Sequence, residues 1–225
     1  MKDTRQRLLE SACKVFAENG FHDANVADIC ERADANIASI NYYFGGKQKL
    51  YEETLLYAAE LAERKHPLMP DESEAATAED RLAWFIRSQF IRGQGKGLAS
   101  CFDRIVVHEI TNPSPSHEMV FGKIMRPRRE YLFELVRELL PREATEGHVR
   151  VCVHNVVGLF AFSHFLRLHG KRPPRRRKLP PPPPPEVMAH HATVFALGGI
   201  EAIARLQTIE HPPFRHEEDA KREKR

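Results

Sequence analysis

Residues 20–55 read GFHDANVADICERADANIASINYYFGGKQKLYEETL, and this stretch decides the fold. Asn25 precedes VADICERA, with Asp28 three residues on. An Asn side chain at that point accepts from the backbone N–H groups that a helix start leaves unpaired, and a first-turn carboxylate suits the positive end of the helix dipole. The spacing predicts a short helix from about Val26 to Ala33. Only Asp34 and Ala35 separate it from Asn36, a second cap, and from IASINYYF, in which Ile37, Ile40 and Phe44 fall on one face. Gly45-Gly46 stops this third helix, and KQKLYEETLLYAAELAERK predicts a fourth that ends before Pro67. Upstream, Leu8, Leu9, Ala12, Cys13 and Phe16 recur at three- and four-residue steps. Asp3 to Asn19 therefore reads as a first helix, opened by a variant capping box of Asp3 and Gln6 and closed by Asn19-Gly20 as a left-handed stop. Two short helices joined by a tight turn and packed on a longer preceding helix form a helix-turn-helix, whose second short helix enters the major groove of DNA. The outward face of IASINYYF carries Ala38, Ser39, Asn41 and Tyr42, small or hydrogen-bonding groups that can approach base edges and phosphates. Tyr43 and Phe44 are expected in the core.

Helical periodicity continues downstream. Thr77 and Asp80 form a capping box before RLAWFIRSQFI, Gly93 to Gly97 break that helix, and LASCFDRIVVHEI resumes one that stops before Asn112-Pro113. Ser116 opens the next, which Pro127 should kink or divide because its ring removes a backbone donor and clashes one turn back. Pro141 ends that pair. From about Thr145 to His169 the sequence is apolar on more than one face and is expected to be buried on more than one side. A last helix is expected from about Val187 to Ile209. Between the two lies KRPPRRRKLPPPPPP, where Pro180 to Pro185 favour extended polyproline II and cannot join a helix. The reading is an all-α chain: a helix-turn-helix domain over 1–47, a connecting helix over 48–66, a larger helical domain over 67–210 with a basic proline-rich loop at 171–185, and a charged tail over 211–225.

A chain of 225 residues, 42% hydrophobic and 29% charged, has the composition of an ordinary globular protein with one large or two modest domains. No run approaches the roughly 20 apolar residues of a membrane-spanning helix, and MKDTRQRLLESACKVF alternates where a signal peptide is continuously apolar. A cytoplasmic protein without membrane contact is expected. Cys13, Cys30, Cys101 and Cys152 form no CxxC pair and read as small buried hydrophobes. Residues 1–66 hold 9 basic and 11 acidic side chains. DNA binding must then rest on the local placement of charge. His148, His154, His164 and His169 share a helix without the i, i+4 spacing of a metal pair, and no phosphate loop, GxSxG elbow or DxD cluster is present. No metal, cofactor or catalytic set is expected.

The stretch 20–55, with YYFGGKQKL opening the fourth helix, resembles the amino-terminal domain of the TetR family of transcriptional regulators. ITNPSP, IMRPRREYLFELVRELL and FALGGI resemble the CecR-like subgroup. The resemblance implies a homodimer, a palindromic double-stranded DNA operator and repression relieved by a small-molecule effector. By motif position it places Asn25 and Asn36 as caps that meet phosphates, Ala38, Ser39, Asn41 and Tyr42 in the groove, and Lys47 on phosphate at the start of the fourth helix. Lys2, Arg5 and Arg7 could reach phosphate or stay solvated. This chain departs at Asp34, where most members have Gly, and at Asn41, where Tyr is common.

The implied effector pocket falls among the central helices, where Trp84, Phe85, Phe102, His108, Phe121, Phe160 and His164 offer aromatic walls and polar handles. The apolar surface of Val149 to Leu168 with Val187 to Leu206 suits a dimer built as a four-helix bundle, or burial within one subunit. The alternative function is a DNA-localised interaction protein that uses the same reading head without controlling transcription.

Overall fold

The computed structural model describes residues 3–70, 77–95, 97–169 and 183–205, and among them every regular element is helical. The elements are α1 (Thr4–Asp23), α2 (Val26–Ala33), α3 (Ile37–Phe44), α4 (Lys47–Lys65), α5 (Ala78–Gln94), α6 (Cys101–Thr111), α7 (His117–Met119), α8 (Arg126–Leu139), α9 (Glu146–His169) and α10 (Pro185–Arg205). A 3₁₀ turn, Leu98–Ser100, leads into α6. The proline-rich loop, except its last prolines, and the tail lie outside the described residues, as does the expected end of the last helix at Ile209.

Local signals explain most of these boundaries. Asp3 Oδ1 accepts from the Gln6 N–H at 2.7 Å. Gln6 does not complete the box; its amide donates to Glu10 and to the Tyr57 hydroxyl instead. Gly20, with φ 71°, breaks the helical geometry as expected, but the chain resumes a turn and α1 runs to Asp23 rather than stopping at Asn19. Thr77 and Asp80 form the full reciprocal capping box of α5. Pro127 sits in the first turn of α8, where its missing N–H costs least. Just upstream a π-helical segment, Val120–Met125, joins α7 to α8. Pro185, expected in the extended run, is the first residue of α10, again a position where its fixed φ suits a helix start.

Two apolar clusters organise the packing. The first joins Leu8, Phe16, Ile29, Ile40, Phe44, Tyr51 and Leu55 of α1–α4 to Cys101, Phe102, Ile105 and Val106 of α6. The second gathers Leu82, Phe85 and Ile86 of α5, Leu132 and Val136 of α8, Val149, Val153 and Phe160 of α9, and Ala192 and Ile200 of α10. Thus α6 belongs to the core of the amino-terminal helices although it lies beyond Pro67 in the chain. The segments Glu146–Leu166 and Pro185–Arg205 are long and apolar enough to cross a membrane by length and composition, against the expectation from the run lengths, but one side of each packs into the second cluster. Their other sides are not covered by the described residues: Val151, Phe162, Val194 and Phe195 are exposed, Phe195 by 72%.

All four cysteines are buried and unpaired, and burial raises each thiol above its ordinary pKa. Only the thiolate alkylates readily. The native protein is therefore expected to resist iodoacetamide at neutral pH and to label at all four positions only after unfolding, which mass spectrometry of native and denatured samples checks.

Candidate functional site

The α2–turn–α3 unit is fixed by its caps. Asn25 Oδ1 accepts from the Ala27 N–H and Asn36 Oδ1 from the Ala38 N–H, both at 2.9 Å. Between them Asp34 adopts the left-handed conformation, φ 48° and ψ 57°, the only non-glycine residue with positive φ among those described. Its N–H reaches the Cys30 and Glu31 carbonyls. Arg7 of α1 holds the same turn from below: Nε donates to the Ala33 carbonyl at 2.9 Å and Nη2 to the Asp34 carbonyl at 3.0 Å. These carbonyls end α2, where a cation is favourable.

Only Ile40 and Phe44 of α3 are buried. Ala38, Asn41 and Tyr42 are exposed, Tyr42 by 82%, and Ser39 is half-buried. Tyr43, expected in the core, is exposed by 39%, and Ile37, on the face of Ile40 and Phe44, by 55%. An eight-residue helix seated by two anchors leaves the remaining face open. Arg5 pairs with Glu53 and lies over the Phe44 ring, 5.3 Å from its centroid. Lys47 turns back onto α1: its Nζ donates to the His22 carbonyl at 3.4 Å and sits 4.8 Å from the Phe21 ring centroid. Burial there lowers its pKa, against the pull of Asp23. Neither Arg5, Arg7 nor Lys47 simply projects into solvent.

The head is joined to the body through Glu109, a fully buried carboxylate near the end of α6. Tyr51 of α4 donates its hydroxyl to Oε2 at 2.6 Å. The Ser114 N–H and hydroxyl donate to Oε1 at 3.0 Å each, and His117 Nδ1 lies 3.2 Å from the same oxygen. Burial, with the neighbouring Glu109 charge, pushes the Tyr51 phenol up. The Tyr51 ring meets Phe16 and Phe21 edge-on at 4.9 and 5.0 Å. His22 Nε2 donates to the Pro113 carbonyl at 2.9 Å.

A cavity of about 380 Å³ opens on the other side of α6. Of the residues expected around an effector, Phe102, Phe160 and His164 line it. The other four stand elsewhere. Trp84 donates its indole N–H to the Pro67 carbonyl at 2.9 Å, Phe85 packs in the second core against Tyr131 and Phe160, His108 lies against Gly20, and Phe121 stacks on His117 at 4.4 Å. Sequence reasoning missed the charged lining, Arg92, Asp103 and Arg128. Arg92 and Asp103 each follow an apolar stretch, but Arg128 stands in the charged run RPRRE and carries no such signal.

An exposed polar helix presented by a capped turn, on a body that encloses a cavity, defines a helix-turn-helix DNA-binding regulator with a separate helical sensing region. Residues 8–54 match the family described as "Bacterial regulatory proteins, tetR family", and residues 78–200 match "HTH-type transcriptional dual regulator CecR, C-terminal domain". The chain belongs to the TetR family of transcriptional regulators, with a CecR-type carboxy-terminal domain. It is 23% identical over 167 residues to the HTH-type transcriptional dual regulator CecR of Shigella flexneri, covering 70% of this chain and 74% of that protein. Over 49 residues it is 43% identical to the probable HTH-type transcriptional regulator YttP of Bacillus subtilis, which is 22% of this chain and 24% of that one. The fold is shared with the regulator FadR of Bacillus subtilis, solved with stearoyl-CoA, at a TM-score of 0.62 and 16% identity over 86% of this chain and 98% of that one.

Arg7 positions the turn from inside the fold. Arg7→Ala is expected to destabilise the protein by about 1 kcal/mol, the scale of a partly exposed charge-assisted hydrogen-bond pair. It should weaken DNA binding while leaving the slope of log affinity against log salt unchanged, whereas loss of a phosphate-contacting cation lowers that slope by roughly 1. Chemical denaturation and salt-titrated DNA binding together check this.

Proposed function

We propose that this chain is a homodimeric, cytoplasmic repressor that releases a palindromic operator when a small molecule enters the cavity beside α6. The observation that carries the reading is the double role of α6. One side of this helix lines the cavity through Asp103, Val107 and Ile110, while Ile105 and Glu109 are built into the core and polar joint of the reading head. A ligand that shifts α6 must shift what α6 supports.

Ala38, Ser39, Asn41 and Tyr42 occupy the open face of α3 and form the base-reading set. Asn25 and Asn36, at the starts of α2 and α3, bring unpaired N–H groups and the positive helix ends to phosphates. Lys47 joins them at the start of α4 by turning its ammonium from the Phe21 ring toward the backbone of the DNA, a modest movement given its weak 3.4 Å hydrogen bond. The exposed Val151, Val194 and Phe195 on α9 and α10 form the dimer contact, a four-helix bundle with two helices from each subunit. Two heads then address half-sites about one helical turn, roughly 34–36 Å, or a multiple apart. The effector acts by its differential affinity for the two head spacings.

Two outcomes are expected. Tyr42→Ala combined with Lys47→Ala abolishes operator retention in a gel-shift assay on sites selected from genomic DNA, while circular dichroism and dimer mass stay unchanged; retained binding assigns the reading face elsewhere. Phe195→Glu, at a position exposed in the single chain, gives a folded monomer by analytical ultracentrifugation with operator affinity reduced at least tenfold. A folded dimer would move the interface off α10.

A further inference from the structure

The polar end of the cavity beside α6 holds a guanidinium and a carboxyl group that are each buried with one atom unpartnered. Arg92 of α5 is almost wholly buried; its Nε donates to the His66 carbonyl at 2.6 Å and its Nη2 to Glu63 Oε2 at 2.7 Å. Burial works against the charge of Glu63, but the hydrogen bonds from Arg92 and from the Leu68 N–H hold its carboxyl below the usual range. Arg128 of α8 has only a share in this carboxylate, at 3.7 Å, beyond a hydrogen bond. Its guanidinium rests on the Phe102 ring, 4.4 Å from the centroid, and its Nη1 is buried without an acceptor. Asp103 of α6 lines the same space, with Oδ2 buried and without a donor. His164 of α9 completes the set, with Nε2 3.2 Å from the Gln89 carbonyl.

Two guanidinium groups therefore face one committed carboxylate. Burial raises the pKa of Asp103 despite the opposing pull of His164, Arg92 and Arg128. Arg128 is left with one unused N–H beside the unpartnered Asp103 Oδ2. Buried groups of this kind carry a cost until something satisfies them. An ammonium ligand meets repulsion from both arginines. An alcohol makes one hydrogen bond and leaves the charge. A carboxylate accepts from Arg128 through a charge-assisted bond, and Asp103 in its protonated form gives it a second donor. Beyond this end the wall is apolar, formed by Val107, Ile110, Met125, Phe160 and Phe165.

We propose that the cavity selects an apolar monocarboxylic acid, aliphatic or aromatic, whose carboxylate lies between Arg128 and Asp103 and whose body lies along Val107, Ile110, Met125 and Phe160. This rests on the reading of the cavity as the effector site. It adds the class of effector: a free acid, because an ester or thioester loses the charge that Arg128 holds.

The test is calorimetric titration of the full chain at neutral pH with octanoate and 4-phenylbutyrate, each against its primary amide, alcohol and amine. The acids bind, the amides and alcohols bind at least tenfold more weakly, and the amines do not bind. Arg128→Met removes the preference for the acid over the alcohol and leaves the alcohol's affinity unchanged. Asp103→Asn keeps acid binding within about threefold, because its amide donates where the carboxyl did. Amines or alcohols that match the acids, no acid binding at millimolar concentration, or an unaltered preference in Arg128→Met each overturn the proposal.

Gly158→Phe separates this proposal from the reading beneath it. Gly158 lines the cavity, and a Cβ there meets no atom within 4 Å, so the ring is accommodated as a plug. It is expected to abolish binding of every probe. Acid binding that survives the plug removes the effector-site reading; binding that the plug abolishes but that shows no acid preference removes only the ligand class.

Discussion

Glu109 sets the geometry between the reading head and the helical body. A carboxylate with no exposed surface is costly to bury, and it is held here by donors from three separate places: Tyr51 on α4, Ser114 in the loop after α6, and His117 at the start of α7. Of these only Tyr51 lies on α4, so sliding α4 along α6 breaks its bond and leaves Glu109 Oε2 without that donor. The Tyr51 ring extends this constraint into the head by packing against Phe16 and Phe21 of α1. His22 and Pro113 add a second tie between α1 and the loop after α6. Apolar packing alone tolerates small slips between helices. A buried carboxylate with directional donors does not.

The same helix places Asp103 six residues before Glu109, roughly 9 Å along the axis. A rigid helix of this length transmits a displacement at one end to the other with little loss, which makes α6 a short lever between cavity and head. Gly20 contributes at the receiving end: a Cβ there would lie 3.2 Å from His108, so its lack of a side chain lets α6 approach α1 closely. Gly93 contributes at the sensing end, where a Cβ would fall 2.0 Å from His164 Nε2. Both glycines mark places where a helix backbone meets an imidazole from another helix, and both contacts lie on elements that touch the cavity or the head.

The parts of this arrangement that were legible in the sequence are those that local chemistry determines. Asn25, Asn36 and Thr77 each cap the helix that follows, because a cap is an interaction between a side chain and a backbone a few residues away. The family signature over 20–55 rests on the same local pattern. What escaped is determined by distance in the chain. Ile37 and Tyr43 have the spacing and chemistry of core residues, but α3 docks on one side only and Ile40 and Phe44 fill the contact. Arg92, Asp103 and Arg128 stand on three different helices, and only the fold brings them to one cavity. The second apolar side of α9 was legible as a surface needing cover, yet the described chain leaves Val151 and Phe162 open.

Charge bears on why control through head spacing, as proposed, would be sensitive. Residues 1–66 carry two more acidic than basic side chains, and four of the basic groups around the head are engaged: Arg7 with the turn, Arg5 with Glu53, Arg32 with Glu18 at 2.9 Å, and Lys47 with α1. A head of this kind gains little from the nonspecific phosphate attraction that fastens a strongly basic domain to any DNA. In the proposed dimer its grip depends on short-range contacts from helix starts and the open face of α3, made at both half-sites together. Such contacts decay over an ångström or two, whereas a screened Coulomb attraction persists for about 8–10 Å. A small change of spacing, of the size that α6 can deliver, then costs the second half-site most of its contacts. The first is left with no bulk electrostatic hold to retain it.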